Sequence, residues 1–333
     1  MKKILNEPRN YVDETIEGLI AAHPQFYAQP ERRVVTRAQP MKKGKVGIVT
    51  GGGSGHLPVF TGYVGEGLLD AAAIGEVFAS PPSDRMESAM RYAAGGGAGV
   101  LRLYGNYGGD SMNFDMAGEV VEMERNIRST TVRVADDIAS APAGEKEKRR
   151  GVAGMIYAFK MAGARAEEMA DLDEVTRIAE KAAGACRSIG VALTPCIVPQ
   201  AGRPTFMLAD NEVEMGMGIH GEPGIWRAEL KSADVLVDEM LDRLLADMPQ
   251  SKGDRASVLV NSLGATPLEE LYIMFRRVKA RLADIGVEMV MPLVGRYATS
   301  MEMTGATITL AHLDGETERL LKAPCACAFW SVA

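Results

Sequence analysis

Short apolar runs that stop abruptly in clusters of glycine, with amphipathic stretches between them, recur along most of this chain. Lys45-Val46-Gly47-Ile48-Val49-Thr50 reads as a buried strand and runs into Gly51-Gly52-Gly53-Ser54-Gly55-His56. Residues 98–103 form a second such run, ending at Tyr104-Gly105-Asn106-Tyr107-Gly108-Gly109-Asp110, and residues 130–135 repeat the theme. Helical patterns cover residues 84–94 and 114–125. Strands alternating with helices in this way specify an α/β fold, a mainly parallel or mixed sheet with helices on its faces.

Residues 152–187 look all-helical, and a second alternating series follows, with strands expected at 255–261, 288–294 and 306–311. Thr266-Pro267-Leu268-Glu269 opens a helix, with Thr266 in the cap position, Pro267 first and Glu269 completing a capping box. Two α/β domains result, residues 1–187 and 188–333. The charged run 145–150 reads as a solvated turn.

Lys and Arg total 37 against 44 Asp and Glu, a net charge of −7. That balance argues against nucleic-acid or anionic-membrane partners. No apolar run approaches the roughly 18 residues of a membrane span, and the N-terminal stretch lacks the apolar core of a signal peptide. Cys186, Cys196, Cys325 and Cys327 form no C-x-x-C pair, so they read as cytosolic thiols in a cytoplasmic protein.

The glycine run at 51–55 invites a phosphate cradle. It fits neither the Walker pattern, since His56 stands where lysine is wanted, nor a G-x-S-x-G elbow. What survives is a turn presenting Ser54 and His56 at the carboxyl end of a strand, either for a ligand or merely as a tight turn. Gly216-Met217-Gly218-Ile219-His220-Gly221 matches G-x-G-x-x-G, but Pro223 and Gly224 leave no helix to receive a pyrophosphate. His220 is the informative residue there, open to a small ligand or hydrogen-bonded within its loop. Asp110 is either a general base or the N-cap of the following helix. His23, His312 and the C-terminal cysteines read as structural, and no spacing supports a metal site.

Taken together, these turns resemble the substrate-binding K subunit of dihydroxyacetone (glycerone) kinases. The resemblance is carried by Gly51 to His56, Gly75-Glu76-Val77-Phe78-Ala79-Ser80-Pro81, Asn106 to Asp110, Leu208 to Glu212, Gly218 to Gly224, Asn261 to Pro267 and Thr299 to Gly305. It spans nearly the whole chain in collinear order. It implies a homodimeric kinase subunit in which His220 adds to a ketose carbonyl as a hemiaminal. His56 then assists and orients the adduct, Asp110 takes the proton of the attacking hydroxyl, and Gly52, Gly53, Ser54 and Gly55 touch the ketose. Nucleotide and magnesium are expected on an L-type partner, because no nucleotide-binding region follows the K-type region. Gly105 and Leu57 depart from the lysine and glutamate common in the family. Both adjoin the pocket, and they suggest a roomier site for dihydroxyacetone or a larger ketose such as erythrulose. The alternative is a non-catalytic paralogue, a ligand-sensing coactivator of a transcription factor.

Overall fold

The computed structural model describes residues 2–333. After helix α1 (Tyr11–Ala22), the antiparallel strands β1 (Tyr27–Glu31) and β2 (Val34–Arg37) lead into β3 (Gly47–Ser54) and β4 (Ala71–Val77). Helix α2 (Ser83–Ala93), β5 (Val100–Gly105), α3 (Gly108–Arg125) and β6 (Ser129–Val134) follow. The first sheet has the order β1-β2-β4-β3-β5-β6, parallel from β4 through β6. Its central strands are buried on both faces, which explains their near-continuous apolar character.

Helices α4 (Met155–Glu167) and α5 (Leu172–Gly184) carry the chain across to the second sheet. That sheet takes β7 (Cys186–Thr194), β8 (Glu212–Met215), β9 (Trp226–Glu229), β10 (Arg255–Ser262), β11 (Glu288–Met289), β12 (Leu293–Gly295) and β13 (Thr304–Leu313). Its order is β11-β10-β13-β7-β8-β9, with β12 beside β10. It is mixed: β13 is antiparallel to both β10 and β7, whereas β11 and β12 run parallel to β10. Helices α6 (Ala233–Asp247) and α7 (Leu268–Asp284) pack on it. Helix α8 (Gly315–Lys322) and the β14–β15 hairpin (Cys325–Ala326, Ser331–Val332) close the chain.

The expected division at residue 187 falls inside β7. The largest apolar core takes residues from both sides of it, Leu101 and Tyr157 packing in the same cluster as Ala311, Leu321 and Trp330. Asp137 pairs with Ser188 in a parallel bridge, so the end of β6 is stitched to β7.

Three local expectations change. Helix α7 begins at Leu268 with no side-chain cap. The Thr266 hydroxyl instead donates to the Gly305 carbonyl at 2.6 Å and accepts from the Gly305 N–H at 2.7 Å, so a tertiary contact has taken the capping group. The strand expected at 288–294 breaks in two around Met291, whose φ is 46°. The run 145–150 is not a solvated turn at its end, because Arg149 is buried against Asp247 and Arg150 is half-buried against Asp137.

Candidate functional site

Strand β3 continues through the glycines to Ser54, so the run expected as a turn is strand. The reason is packing. A Cβ on Gly52 would lie 2.1 Å from the Phe60 ring, and one on Gly53 would lie 2.6 Å from the Ala79 backbone nitrogen. Glycine there lets Phe60 and the turn after β4 lie against the strand. Gly55 turns with φ of 101°, and His56 emerges fully buried at the carboxyl end of the parallel strands, where open α/β sheets bind ligands.

The His56 Nδ1–H donates to the Thr299 carbonyl at 2.7 Å, and its ring stacks on Phe78 with centroids 4.9 Å apart. The neutral ring therefore carries its lone pair on Nε2, a buried atom with no hydrogen-bond partner. Burial, reinforced by the nearby His220, pushes His56 down to about 3, so it stays uncharged at neutral pH.

His220 sits in the loop between β8 and β9, and its ring meets His56 edge to face at 4.6 Å. Tyr107 and Phe78 wall it in, with centroids 4.8 and 5.5 Å away. Its Nδ1–H donates to Glu222 Oε1 at 2.8 Å, and its backbone N–H donates to Oε2 of the same carboxylate at 3.0 Å. Burial alone would raise Glu222, but the hydrogen bond and charge of His220, with Arg150, hold it down at about 2. Both histidines thus keep Nδ1 occupied by an oxygen acceptor. Both Nε2 lone pairs are left for chemistry.

Asp110 lies in the first turn of α3, three residues past the cap position held by Tyr107, so it is not the N-cap. Burial raises its carboxyl to about 6, against the pull of Ser80 and His220. Its Oδ1 is buried and unpartnered. A carboxylate with one oxygen left unpartnered at a helix start, beside an imidazole, is placed to accept a proton.

Of the expected site residues, His56, His220 and Asp110 come together at the junction of the two sheets. Gly52 and Gly53 are buried in β3, while Ser54, Gly55 and Leu57 also line a cavity of about 510 Å³ that runs towards Tyr11 and Arg296. Gly105 is buried at the end of β5, where a Cβ would meet the Met155 sulfur at 3.0 Å and the Tyr107 ring at 3.1 Å. Tyr107 fills the direction a side chain would take, so Gly105 does not by itself open the pocket. Sequence reading assigned no role to Phe78, Tyr107, Glu222, Arg150 or Thr299. The signal for Glu222 was its place two residues after His220. Phe78, Tyr107 and Thr299 lie in stretches that carry the resemblance, with no role attached, and nothing local marked Arg150.

Among the described residues no group of His, Cys, Asp and Glu is arranged to hold a metal ion, and no helix is long and apolar enough to cross a membrane.

Two sheets meeting at apposed imidazoles with a buried carboxylate beside them define a two-sheet α/β protein with an imidazole-centred candidate site. The chain belongs to the Dak1 family, whose domain model matches residues 17–329. It is 42% identical to the dihydroxyacetone-binding subunit DhaK of PTS-dependent dihydroxyacetone kinase 2 from Listeria innocua, covering 100% of both chains. It is also 42% identical to the L-erythrulose kinase of Pectobacterium atrosepticum, covering 97% of this chain and 55% of that one. Among solved structures, the dihydroxyacetone kinase of C. freundii superposes with a TM-score of 0.90 at 32% identity, covering 99% of this chain and 60% of that one. The dihydroxyacetone kinase operon co-activator Dha-DhaQ superposes with a TM-score of 0.89 at 33% identity, covering 98% of this chain and 99% of that one.

Proposed function

We propose that this chain is the ketose-binding subunit of a phosphotransferase, capturing a short ketose on His220 and activating its terminal hydroxyl with Asp110. The observation that carries the reading is the His220–Glu222 hydrogen bond, which fixes the tautomer with its lone pair on Nε2. In capture, the Nε2–carbon bond forms as the carbonyl π pair moves to oxygen, and that oxygen takes a proton from solvent. Glu222 offsets the positive charge left on the ring through the Nδ1–H bond. An alcohol cannot form this adduct, so covalent capture separates ketoses from polyols that differ little in shape. His56, pinned by Thr299 and uncharged, offers its free Nε2 to the new hydroxyl as a hydrogen-bond acceptor. The held substrate keeps its terminal hydroxyl in one place, which lowers the entropic part of the barrier. Asp110 takes that hydroxyl's proton as its oxygen attacks the phosphorus of the donor and the bond to the leaving group breaks.

Nucleotide and magnesium belong, in this reading, to an L-type partner, whether the phosphoryl group comes from ATP or from a phosphohistidine carrier. Names of relatives support a division into subunits: those matched end to end are dihydroxyacetone-binding subunits of PTS- or PEP-dependent kinases. Relatives named erythrulose kinases keep the larger ketose open as substrate beside dihydroxyacetone. The reading carries with it a cytoplasmic homodimer. A sensor paralogue is the weaker reading, although the co-activator shares the fold, because a sensor has no use for a buried carboxylate with one oxygen unpartnered beside the captured ligand.

The test is intact-protein mass spectrometry with dihydroxyacetone and erythrulose, paired with 13C NMR of the carbonyl-labelled ketose. The wild type is expected to gain one ketose mass and convert the carbonyl carbon to a tetrahedral one, and His220→Ala to do neither. With ATP alone the purified chain is expected to form no ketose phosphate, and turnover without an L-type partner would overturn the division of labour.

A further inference from the structure

Arg150 stands at the end of a charged run with no local sign of function, yet it reaches the loop that carries His220. Its Nε donates to Asp137 Oδ2 at 3.0 Å, and its Nη2 lies 2.8 Å from the same oxygen. Nη2 also donates to the Gly216 carbonyl at 3.1 Å, and Nη1 lies 3.8 Å from Glu222 Oε2. Asp137 is itself fixed: its Oδ1 accepts from the Ala139 N–H at 3.0 Å, and its backbone forms the bridge to β7. The side chain of Arg150 is 14% exposed and that of Asp137 is 4% exposed, so solvent screens this pair weakly.

Gly218 makes room for this approach. A Cβ on Gly218 would fall 2.1 Å from Glu222 Oε2 and 2.5 Å from Arg150 Nη1. Gly218 has no left-handed φ to account for it. Its lack of a side chain leaves room for the carboxylate and the guanidinium to approach across the loop.

We infer that Arg150, anchored by Asp137, is a positioning residue for ketose capture: it sets the place and charge of Glu222 beneath His220 and ties the histidine loop to the segment after β6. The inference rests on the capture reading above. It makes the Nδ1–Glu222 bond, and with it the tautomer of His220, depend on a residue that touches neither the ketose nor the ring.

Charged and titratable groups face His220 from every side: Glu222 from its own loop, His56 from the end of β3, Asp110 and Tyr107 from the start of α3, and Arg150 with Asp137 from the segment after β6. Arg150 is the sole fixed cation among these. Removing it makes protonation of the site easier, so capture should fail at higher pH on acidification.

The experiment measures the ketose dissociation constant by carbonyl-carbon NMR from pH 5 to 9 in the full chain. Arg150→Met is expected to move the acid limb of capture up by about one pH unit, a roughly tenfold weakening on that limb. Arg150→Lys, which keeps the charge, is expected to restore the limb. In Glu222→Gln, adding Arg150→Met is expected to shift the limb no further, because the effect runs through that carboxylate. If Arg150→Met does not fold by circular dichroism, Arg150→Gln replaces it with the same expectation. An unmoved limb, or a loss uniform in pH that lysine does not rescue, overturns the inference. A wild type that captures no ketose at any pH instead overturns the capture reading itself.

Discussion

Asp110 shows at the residue scale how function opposes stability. Its carboxyl is held at about 6 in the folded chain by burial, against about 4 in an unfolded one. Ionising it therefore works against folding. The penalty is absent below about pH 4, grows as pH rises through the interval, and is complete above about pH 6, reaching on the order of 2–3 kcal/mol. Asp110→Asn is expected to raise the Tm at pH 8 and leave it nearly unchanged at pH 4, which calorimetry at the two pH values checks. The same variant should keep the ketose adduct while turnover with the partner falls by roughly 10²–10⁴-fold. For the unmodified enzyme, turnover should decline below about pH 6 as Asp110 gains its proton, while the buried, neutral His56 contributes no limb near neutrality. His56, His220 and Asp110 were legible as candidates from their glycine-rich surroundings, and the resemblance attached their roles. Glu222 and Thr299, which decide the two tautomers, were not, because a tautomer is set by whatever oxygen the fold brings to Nδ1.

Strand β3 and the start of α3 carry the argument at the element scale. The glycines of β3 are fixed first by packing, whatever they also do for a ligand. Gly52→Ala is expected to cost about 1–3 kcal/mol, measured by urea denaturation, because a Cβ meets the Phe60 ring at 2.1–2.8 Å. Phe60→Leu in the same chain should recover part of that loss. Gly105→Lys tests the pocket. A side chain there must displace the Tyr107 ring, so capture of dihydroxyacetone and of erythrulose should both weaken, rather than one being exchanged for the other. A kcat/KM ratio for the two ketoses that changes while the smaller substrate is used as well as before would contradict this. The α/β alternation and most central strands could be read from periodicity. The cap on α7 could not, since Thr266 was already engaged with Gly305 across the sheet.

At the scale of the whole molecule, buried ion pairs knit the segment after β6 to the second sheet and α6. Asp247 on α6 receives Arg149 through two bonds, at 2.6 and 3.0 Å, and Arg187 through a third at 2.5 Å. Asp247→Ala leaves the Arg149 guanidinium buried and unpaired, a loss expected at about 3 kcal/mol. It should appear as a lower urea midpoint in a single cooperative transition, because the largest core spans both sheets.

Strand-like runs ending in glycine, and helical spacing between them, by themselves determined the α/β class and pointed to two histidines and an aspartate, because those signals are local. Only the tertiary structure decided what holds the site. The run 145–150 reads as solvent-facing because it is an unbroken stretch of charges. Folding supplies partners 98 and 13 residues away, Asp247 for Arg149 and Asp137 for Arg150. Burial and pairing depend on long-range neighbours, and no periodicity in the chain records them.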